Sequence, residues 1–240
     1  MRATVPLAKV IRPVRRWQNG RMPAQRPEPR VIDGSYIRLH PLHKGDLPEL
    51  FAALGTPQVF AGGWGGGPAG YRHSPAGLVA FGEQYFSWAT GNVYGARLVG
   101  GENDGMLVGT STLGDFEEDI EHAHIGWTAW DPRVWGSAVN PEAKLVMLGE
   151  AFEHGFGRVK LQADDRNVRS KAAIAKLGAT FEGVVRRDRP RADGSWRDTA
   201  VFSILADEWP VVRAGLEARL AAFGGRPVAL ATAPAGNTEY

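Results

Sequence analysis

The chain has 240 residues, enough for one domain with a full hydrophobic core and with extensions at its ends. Hydrophobic residues make up 43% and charged residues 22%, as is usual for a soluble globular protein, and no apolar run approaches the roughly 18 residues of a membrane span. Because the chain has no cysteine, disulfides, thiolate metal sites and a cysteine nucleophile are excluded; we expect a cytoplasmic protein that holds no metal and does not bind a membrane.

The positive charge is concentrated at the N-terminus. Residues 1–30 hold eight Lys or Arg against one acid, Glu28, which gives this segment +7 and leaves −5 for the remainder. Prolines interrupt the segment, so it predicts a basic extension rather than an amphipathic helix. Such an arm is either a solvated extension or a contact for RNA, an acidic partner or membrane phosphates. Nucleic-acid binding is not expected outside this arm.

The first part of the domain predicts strands and helices in alternation. We expect a strand over 35–39, a helix over 47–54 with Asp46 as its N-cap, a second helix over 74–90, and an antiparallel strand pair over 93–99 and 106–113. The glycine-rich stretch 61–68 does not follow a convincing strand, so it is not expected to bind phosphate.

The middle of the chain predicts a phosphate-binding turn. Residues 123–130 are aromatic and β-prone, which predicts a buried strand. Asn140 followed by Pro141 predicts the capped start of a helix that ends near Gly155. The turn 132–140 between them would direct unpaired backbone N–H groups and the positive end of a helix dipole at one point. Such a point binds phosphate.

The remainder of the chain predicts a second alternation. We expect a strand over 159–163, a helix over 168–177 capped by Asn167, a hairpin of strands 180–187 and 197–205, and a helix over 210–222. Residues 223–240 are rich in Gly, Pro and Ala and predict a flexible tail. The domain is therefore expected to span residues 31–222.

The turn also carries a family resemblance. Arg133, Gly136 and Ala138 fit the pattern [QR]-x-x-G-x-[GA], which resembles the pyrophosphate loop of the GNAT acyl-CoA N-acyltransferases, and of their RimJ/RimL-like branch in particular. The series of that branch continues over residues 31–222 with Asn167 and Ser170, Lys176-Leu177-Gly178-Ala179, Phe181-Glu182-Gly183, Phe202-Ser203-Ile204 and Glu208-Trp209-Pro210.

The resemblance implies an α+β fold and a cofactor site. We expect a single domain with a mixed, mostly antiparallel sheet of six to seven strands flanked by helices, and acetyl-CoA bound where the central parallel strands splay. The glycine-rich stretch would help wall the acceptor pocket, as a mobile lid or as a plain connection. The residues expected to contact the coenzyme are Thr128, Trp130, Arg133, Val134, Trp135, Gly136, Ser137, Ala138, Val139, Asn140, Asn167 and Ser170.

The catalytic candidates are a hydroxyl and two histidines. The resemblance places Ser170 where the leaving thiolate takes a proton, because the branch has a serine there and this chain has no tyrosine between Tyr94 and Tyr240. His122 and His124 share one face of the central strand, and a histidine suits a general base near neutral pH. Carboxylates are the alternative bases, namely Asp188, Glu117, Glu118 and Asp119, and the last three would also attract a cationic acceptor.

The sequence therefore predicts an acetyl-CoA-dependent N-acetyltransferase that passes the acyl group directly to a primary amine. The acceptor is either a protein N-terminus or lysine, or a small amine. Two alternatives stay open, a non-catalytic acyl-CoA-binding regulator and an RNA- or ribosome-associated module that uses the basic arm. A homodimer is one option for the assembly.

Overall fold

An eight-stranded sheet organises the structure, a computed structural model that describes residues 23–232. The strand order is β1-β2-β3-β4-β5-β6-β8-β7. The strands are β1 (Ile32–Asp33), β2 (Ile37–Pro41), β3 (Asn92–Leu98), β4 (Leu107–Glu117), β5 (His122–Trp130), β6 (Arg158–Asp164), β7 (Thr180–Pro190) and β8 (Trp196–Leu205).

One pair of neighbouring strands, β5 and β6, is parallel, and every other pair is antiparallel. The parallel pairing joins His122, Ala123 and His124 to Arg158, Val159 and Lys160 and then stops. Beyond His124 the two strands separate, so a gap opens in the middle of the sheet. The predicted α+β fold with splayed central strands is confirmed.

Six helices cover the sheet. They are α1 (Leu47–Leu54), α2 (Pro57–Ala61), α3 (Pro75–Tyr85), α4 (Val139–Glu153), α5 (Val168–Ala175) and α6 (Trp209–Ala221). Successive strand residues alternate between two hydrophobic cores, as the pleat requires. Val93 and Ala129 pack with α1 and α3, whereas Tyr94 and Trp130 pack with α4 and α6. Among residues 23–232, no helix is both long and apolar enough to cross a membrane.

The structure corrects three details of the sequence prediction. The sheet has eight strands instead of six to seven, because β1 is a two-residue edge strand too short to leave a hydrophobic pattern. Helix α3 ends at Tyr85 instead of Thr90, since Phe86 is extended and the Trp88 indole donates to the carbonyl of Gly82. Asn140 is not the N-cap of α4.

Asn140 instead lies in the first turn of α4, which begins at Val139 and has Ala138 at its N-cap position. Its side-chain Oδ1 accepts a hydrogen bond of 2.9 Å from the indole nitrogen of Trp130. A tertiary contact therefore uses the side chain that local sequence rules assign to a cap. Asn167, by contrast, caps α5 as predicted, with its Oδ1 accepting from the backbone N–H of Ser170.

Helix α4 is tied to the start of the sheet through a buried carboxylate. Glu142 is 4% exposed. Its two carboxylate oxygens accept the backbone N–H groups of Ser35, Tyr36 and Ile37 at 2.7, 2.8 and 2.7 Å. These three charge-assisted hydrogen bonds fix the helix that carries the turn against strand β2.

The described parts of both terminal segments lie against the domain. At the N-terminal side, Ala24 is buried, and the Arg26 guanidinium donates to Asn92 and to the carbonyls of Ala89 and Gly91. At the C-terminal side, Val228 is buried and the N–H of Ala231 donates to the carbonyl of Arg133. The rest of the predicted arm, residues 1–22, and of the predicted tail, residues 233–240, falls outside the described residues.

Candidate active site

A cavity of about 760 Å³ occupies the gap between β5 and β6. Residues 125–130 of β5 line one side and residues 161–164 of β6 line the other. The turn after β5, the start of α5, the glycine-rich loop and the β7–β8 hairpin complete the wall. The cavity therefore joins several segments that the sequence singled out separately.

The turn after β5 has the features of an anion site. Gly136 has a φ of 80°, a left-handed conformation that favours glycine. A Cβ added there would meet no atom within 4 Å, so the backbone is open to the cavity side. Among residues 23–232, no acceptor is found for the backbone N–H of Gly136 or of Ala138. Unpaired N–H groups beside the start of the 15-residue helix α4 are of the kind that bind anions, and of these two residues Gly136 lines the cavity.

The side chains of this turn divide between the cavity and the domain. Val134, Trp135, Gly136, Ser137 and Asn140 line the cavity, whereas Ala138 and Val139 are buried. Above the turn, the Arg169 guanidinium lies 3.6 Å from the ring centre of Trp135, which places a cation beside the open amides.

Arg133 does not contribute a free charge to the cavity. Its guanidinium is held by the buried carboxylate of Asp131, with Nε at 3.0 Å from Oδ1 and Nη2 at 2.6 Å from Oδ2. Arg133 is also not among the residues that line the cavity. The ion pair fixes the shape of the turn, and the cation that lines the cavity beside the turn is Arg169.

A bulge in β5 exposes the middle of the strand to the cavity. The register between β4 and β5 shifts between Thr110 and Thr112, and Trp127 has a φ of 51°, which is rare for an aromatic residue. The indole nitrogen of Trp64 donates to the carbonyl of Trp127 at 3.3 Å. The glycine-rich loop thus contacts the bulge directly.

Lys144 is a cavity residue that the sequence analysis missed. It is 4% exposed, and its ammonium donates to the hydroxyls of Thr128 and Ser111 at 2.7 and 3.0 Å. No carboxylate of the described chain lies within 4 Å, and burial lowers the pKa of Lys144 to about 7. The available signal was its position on α4, in the apolar stripe of Met147, Leu148 and Ala151.

His124 and Asp115 form a hydrogen-bonded pair on the cavity. His124 is 2% exposed and lines the cavity, and its Nδ1 lies 2.9 Å from Oδ2 of Asp115. The hydrogen bond from His124 holds the pKa of the Asp115 carboxyl below its usual value. Burial lowers the pKa of His124, so its ring is neutral at pH 7.

The protonation of the pair follows from these contacts. A neutral ring next to a carboxylate carries its proton on Nδ1, so the lone pair is on Nε2. His124 Nε2 is buried and has no hydrogen-bond partner within residues 23–232. The ring packs over Gly126, where an added Cβ would lie 2.5 Å from His124 Cε1.

Of the other predicted site residues, some line the cavity and some do not. Ser170 and Asn167 line the cavity, and Asn167 Nδ2 donates to the carbonyl of Gly62. His122, at the start of β5, is not among the lining residues. The carboxylates offered as alternative bases, Glu117, Glu118, Asp119 and Asp188, do not line the cavity either. Sequence reasoning did not find Asp115 as the partner of His124.

The glycine-rich loop and the hairpin close the opposite wall. The Ala192 N–H at the hairpin tip donates to the carbonyl of Gly66 at 3.2 Å, and an added Cβ at Gly66 would lie 3.2 Å from that of Ala192. The hairpin places Arg189, Arg191 and Arg197 along this wall. Among the residues described, no group of three His, Asp or Glu is arranged to hold a metal ion.

Comparison with known proteins agrees with this geometry. A profile of the acetyltransferase (GNAT) domain matches residues 37–180. A T. thermophilus protein assigned as an acetyltransferase is 33% identical, with a TM-score of 0.71 over 82% of this chain and 100% of that one. A GCN5-related N-acetyltransferase from Brucella melitensis is 25% identical, with a TM-score of 0.74 over 88% and 96%.

A third similar structure is RimJ of Mycobacterium smegmatis in complex with CoA-disulfide. It is 21% identical, with a TM-score of 0.61 over 84% of this chain and 95% of that one. No curated protein matches this chain.

The open sheet, the splayed strands and the amide-lined turn define an acyl-CoA-dependent transferase. The chain belongs to the GNAT acetyltransferase family, whose members transfer an acetyl group from acetyl-CoA. The predicted superfamily is confirmed. The RimJ/RimL-like branch stays a prediction, because a likeness of 21% to RimJ shows the fold alone.

Proposed function

We propose that this protein transfers the acetyl group of acetyl-CoA directly to a primary amine bound in the same cavity. The observation that carries the proposal is His124, whose Nδ1 is held by Asp115 and whose buried Nε2 has no partner among the described residues. A general base must reach the proton it removes and must be unprotonated at working pH. The neutral ring of His124 and its place on the cavity wall support this role.

The coenzyme, which supplies the thioester, would lie along the turn and in the gap between β5 and β6. The backbone N–H groups of Gly136 and Ala138 would hold its diphosphate, with the start of helix α4 adding its dipole. Thr128 and Trp130 on the edge of β5 would align the pantetheine arm, and the backbone N–H of Trp130 is our candidate donor to the thioester carbonyl.

Two side chains would move protons. His124 Nε2 takes a proton from the attacking amine, and Asp115 stabilises the imidazolium that results. Ser170, on the facing helix α5, donates its hydroxyl hydrogen to the departing sulfur, while Asn167 orders the start of that helix. Direct transfer is the economical route, since the chain has no cysteine to carry the acyl group.

The test is release of free thiol from acetyl-CoA with a panel of protein and small-molecule amines. We expect His124→Gln to lower kcat/KM by about 10²- to 10⁴-fold and Ser170→Ala by a smaller factor. His43→Gln, at an exposed histidine away from the cavity, is the matched control. Rates like those of the wild type in both cavity variants would reject the assignment of base and acid.

Binding of the coenzyme is tested separately by calorimetry with CoA. Gly136→Val should weaken binding at least tenfold, because a side chain there is strained and enters the space beside the open amides. Gly105→Val is the matched control, since Gly105 has a φ of 77°, equally open surroundings and a place in the β3–β4 turn. Binding without thiol release for any amine would point to the acyl-CoA-binding regulator instead.

A further inference from the structure

Two arginines lie side by side where the β7–β8 hairpin lines the cavity. Arg189 of β7 and Arg197 of β8 are directly opposite in the antiparallel register, and both line the cavity. Residues directly opposite share one face of a sheet, with Cβ atoms about 5 Å apart. Two like charges in this arrangement are destabilising unless an anion compensates them.

The carboxylates near this pair bond to groups other than Arg197. Asp164 is held by Arg191, with Nη2 at 2.8 Å from Oδ2 and both side chains only 10% exposed. Asp188 accepts the hydroxyl of Thr199 at 2.7 Å and Nε of Arg189 at 3.2 Å. Asp188 therefore bonds to Arg189 and not to Arg197.

Arg197 is left without a partner in the described part of the chain. Its Nε is buried and donates to no hydrogen-bond acceptor, and no carboxylate of residues 23–232 lies within 4 Å of the guanidinium. Burial also lowers the pKa of Arg197, so its surroundings disfavour the charged form. Arg197 is half-buried, and a bound anion would compensate its charge and give its buried Nε an acceptor.

The pair belongs to the cavity that holds the proposed base. Arg189 and His124 line the same cavity, and the positive charge of Arg189 makes a small contribution to the lowered pKa values of His124 and Asp115. The acids that the sequence offered for attracting a cationic acceptor, Glu117, Glu118 and Asp119, are not on this wall. The charge at the acceptor end is therefore positive.

We propose that the acceptor is a small primary amine that also carries a carboxylate or a phosphate, bound by Arg197 together with Arg189. A guanidinium matches the planar oxygens of either anion with two parallel hydrogen bonds. The anchored anion would leave the amine facing His124. This inference rests on the proposed function, and it names the acceptor class.

The reaction balances with the groups already assigned. The amine nitrogen forms a bond to the acetyl carbon, and the carbon–sulfur bond of the thioester breaks. One amine proton passes to His124 Nε2, and the departing thiolate takes the hydroxyl proton of Ser170. The proton that His124 then releases to solvent balances the one that Ser170 takes back, so both side chains are restored. The arginines exchange no proton and act on specificity.

The test compares amines in matched pairs at saturating acetyl-CoA, with the full chain. Each carboxylate amine is paired with its amide, for example glutamate and β-alanine with their carboxamides, and O-phosphoethanolamine is paired with ethanolamine. We expect kcat/KM for the anionic member of the preferred pair to be at least 100-fold higher. The carboxylate and phosphate arms decide which anion the site takes.

Variants assign the preference to the arginines. Arg197→Gln should reduce the preference at least tenfold, mainly through KM for the anionic amine, with Arg197→Lys intermediate and CoA binding unchanged. Arg213→Gln is the control for loss of one positive charge, because Arg213 pairs with Glu217 on the exposed face of α6. If Arg197→Gln does not fold, Arg189→Gln gives the same readout, since half of that side chain is exposed.

The outcomes separate the two proposals. Equal use of anionic and neutral amines, or equal behaviour of the Arg197 and Arg213 variants, overturns the anionic acceptor and leaves the transferase intact. Calorimetric titration of the CoA-bound protein with the same amines needs no turnover. Anion-selective binding that Arg197→Gln abolishes, with no thiol released from any amine, would support the site and reject the transferase.

Discussion

The buried lysine beneath the bulge gives a stability prediction with a defined sign. In Lys144→Met the side chain keeps most of its length but loses the ammonium. The hydroxyls of Ser111 and Thr128 lie 2.7 Å apart and would still bond to each other. The variant should therefore fold, and it removes one titrating group from the interior.

The magnitude follows from the two protonation states. The pKa of Lys144 is about 7 in the folded protein, against 10.5 for an unperturbed lysine. Between these values the unfolded chain binds more protons than the folded chain, so stability must rise with pH. The full effect is roughly 5 kcal/mol, of which about 3 kcal/mol falls between pH 6 and pH 9.

The assay is urea unfolding of the wild type and Lys144→Met at pH 6, 7, 8 and 9. Across this range, the free energy of unfolding of the wild type should rise relative to that of the variant by about 3 kcal/mol. Lys44→Met, at an exposed lysine, should show no such trend against the wild type. A difference that is flat from pH 6 to pH 9, or that changes in the opposite direction, would refute a neutralised interior lysine.

Three further changes test other contacts. Glu142→Gln should lower the free energy of unfolding by about 2–4 kcal/mol in denaturant melts, because an amide cannot accept all three N–H groups of residues 35–37. Gly126→Ala should lower kcat while the folded state persists at the assay temperature, since the added methyl displaces the ring of His124. A loss of kcat that only follows the loss of folded protein would argue against a positioning effect. In the pH profile, kcat/KM should fall on the acid side with a midpoint below pH 6.5, because burial lowers the pKa of His124. Asp115→Asn should move this midpoint to still lower pH and reduce kcat, because the bond to Asp115 raises the pKa of His124. An unchanged midpoint would exclude Asp115 as the partner of His124.

Local signals in the sequence were enough for much of the fold and for the turn between β5 and α4. The strand 123–130, the small residues after it and the helix beyond are neighbours in the chain, so a short window contains the whole turn. Gly136 is visible in sequence because few other residues adopt its backbone conformation. The Asn167 cap is equally local, with its partner three residues away.

The acceptor side could not be predicted in the same way, because its contacts join distant segments. Asp115 meets His124 only through the irregular register of β4 and β5, which shifts after Gly114. Arg189 pairs with Arg197 because strand β7 continues to Pro190, beyond the predicted end at residue 187. For Asn140 the local rule was wrong, because its side chain accepts a hydrogen bond from Trp130 instead of capping α4.

The segment after α6 packs against the turn between β5 and α4 on the side away from the cavity. The Tyr36 hydroxyl accepts the N–H of Gly225, Val228 inserts into the core, and the N–H of Ala231 then holds the carbonyl of Arg133. Residues 225–231 are thereby connected to the turn, although about a hundred positions separate Ala231 from Arg133. A protein shortened after Phe223 would keep every residue that lines the cavity but would lose the contacts that hold the Arg133 carbonyl. A purification tag is therefore better attached at the N-terminus.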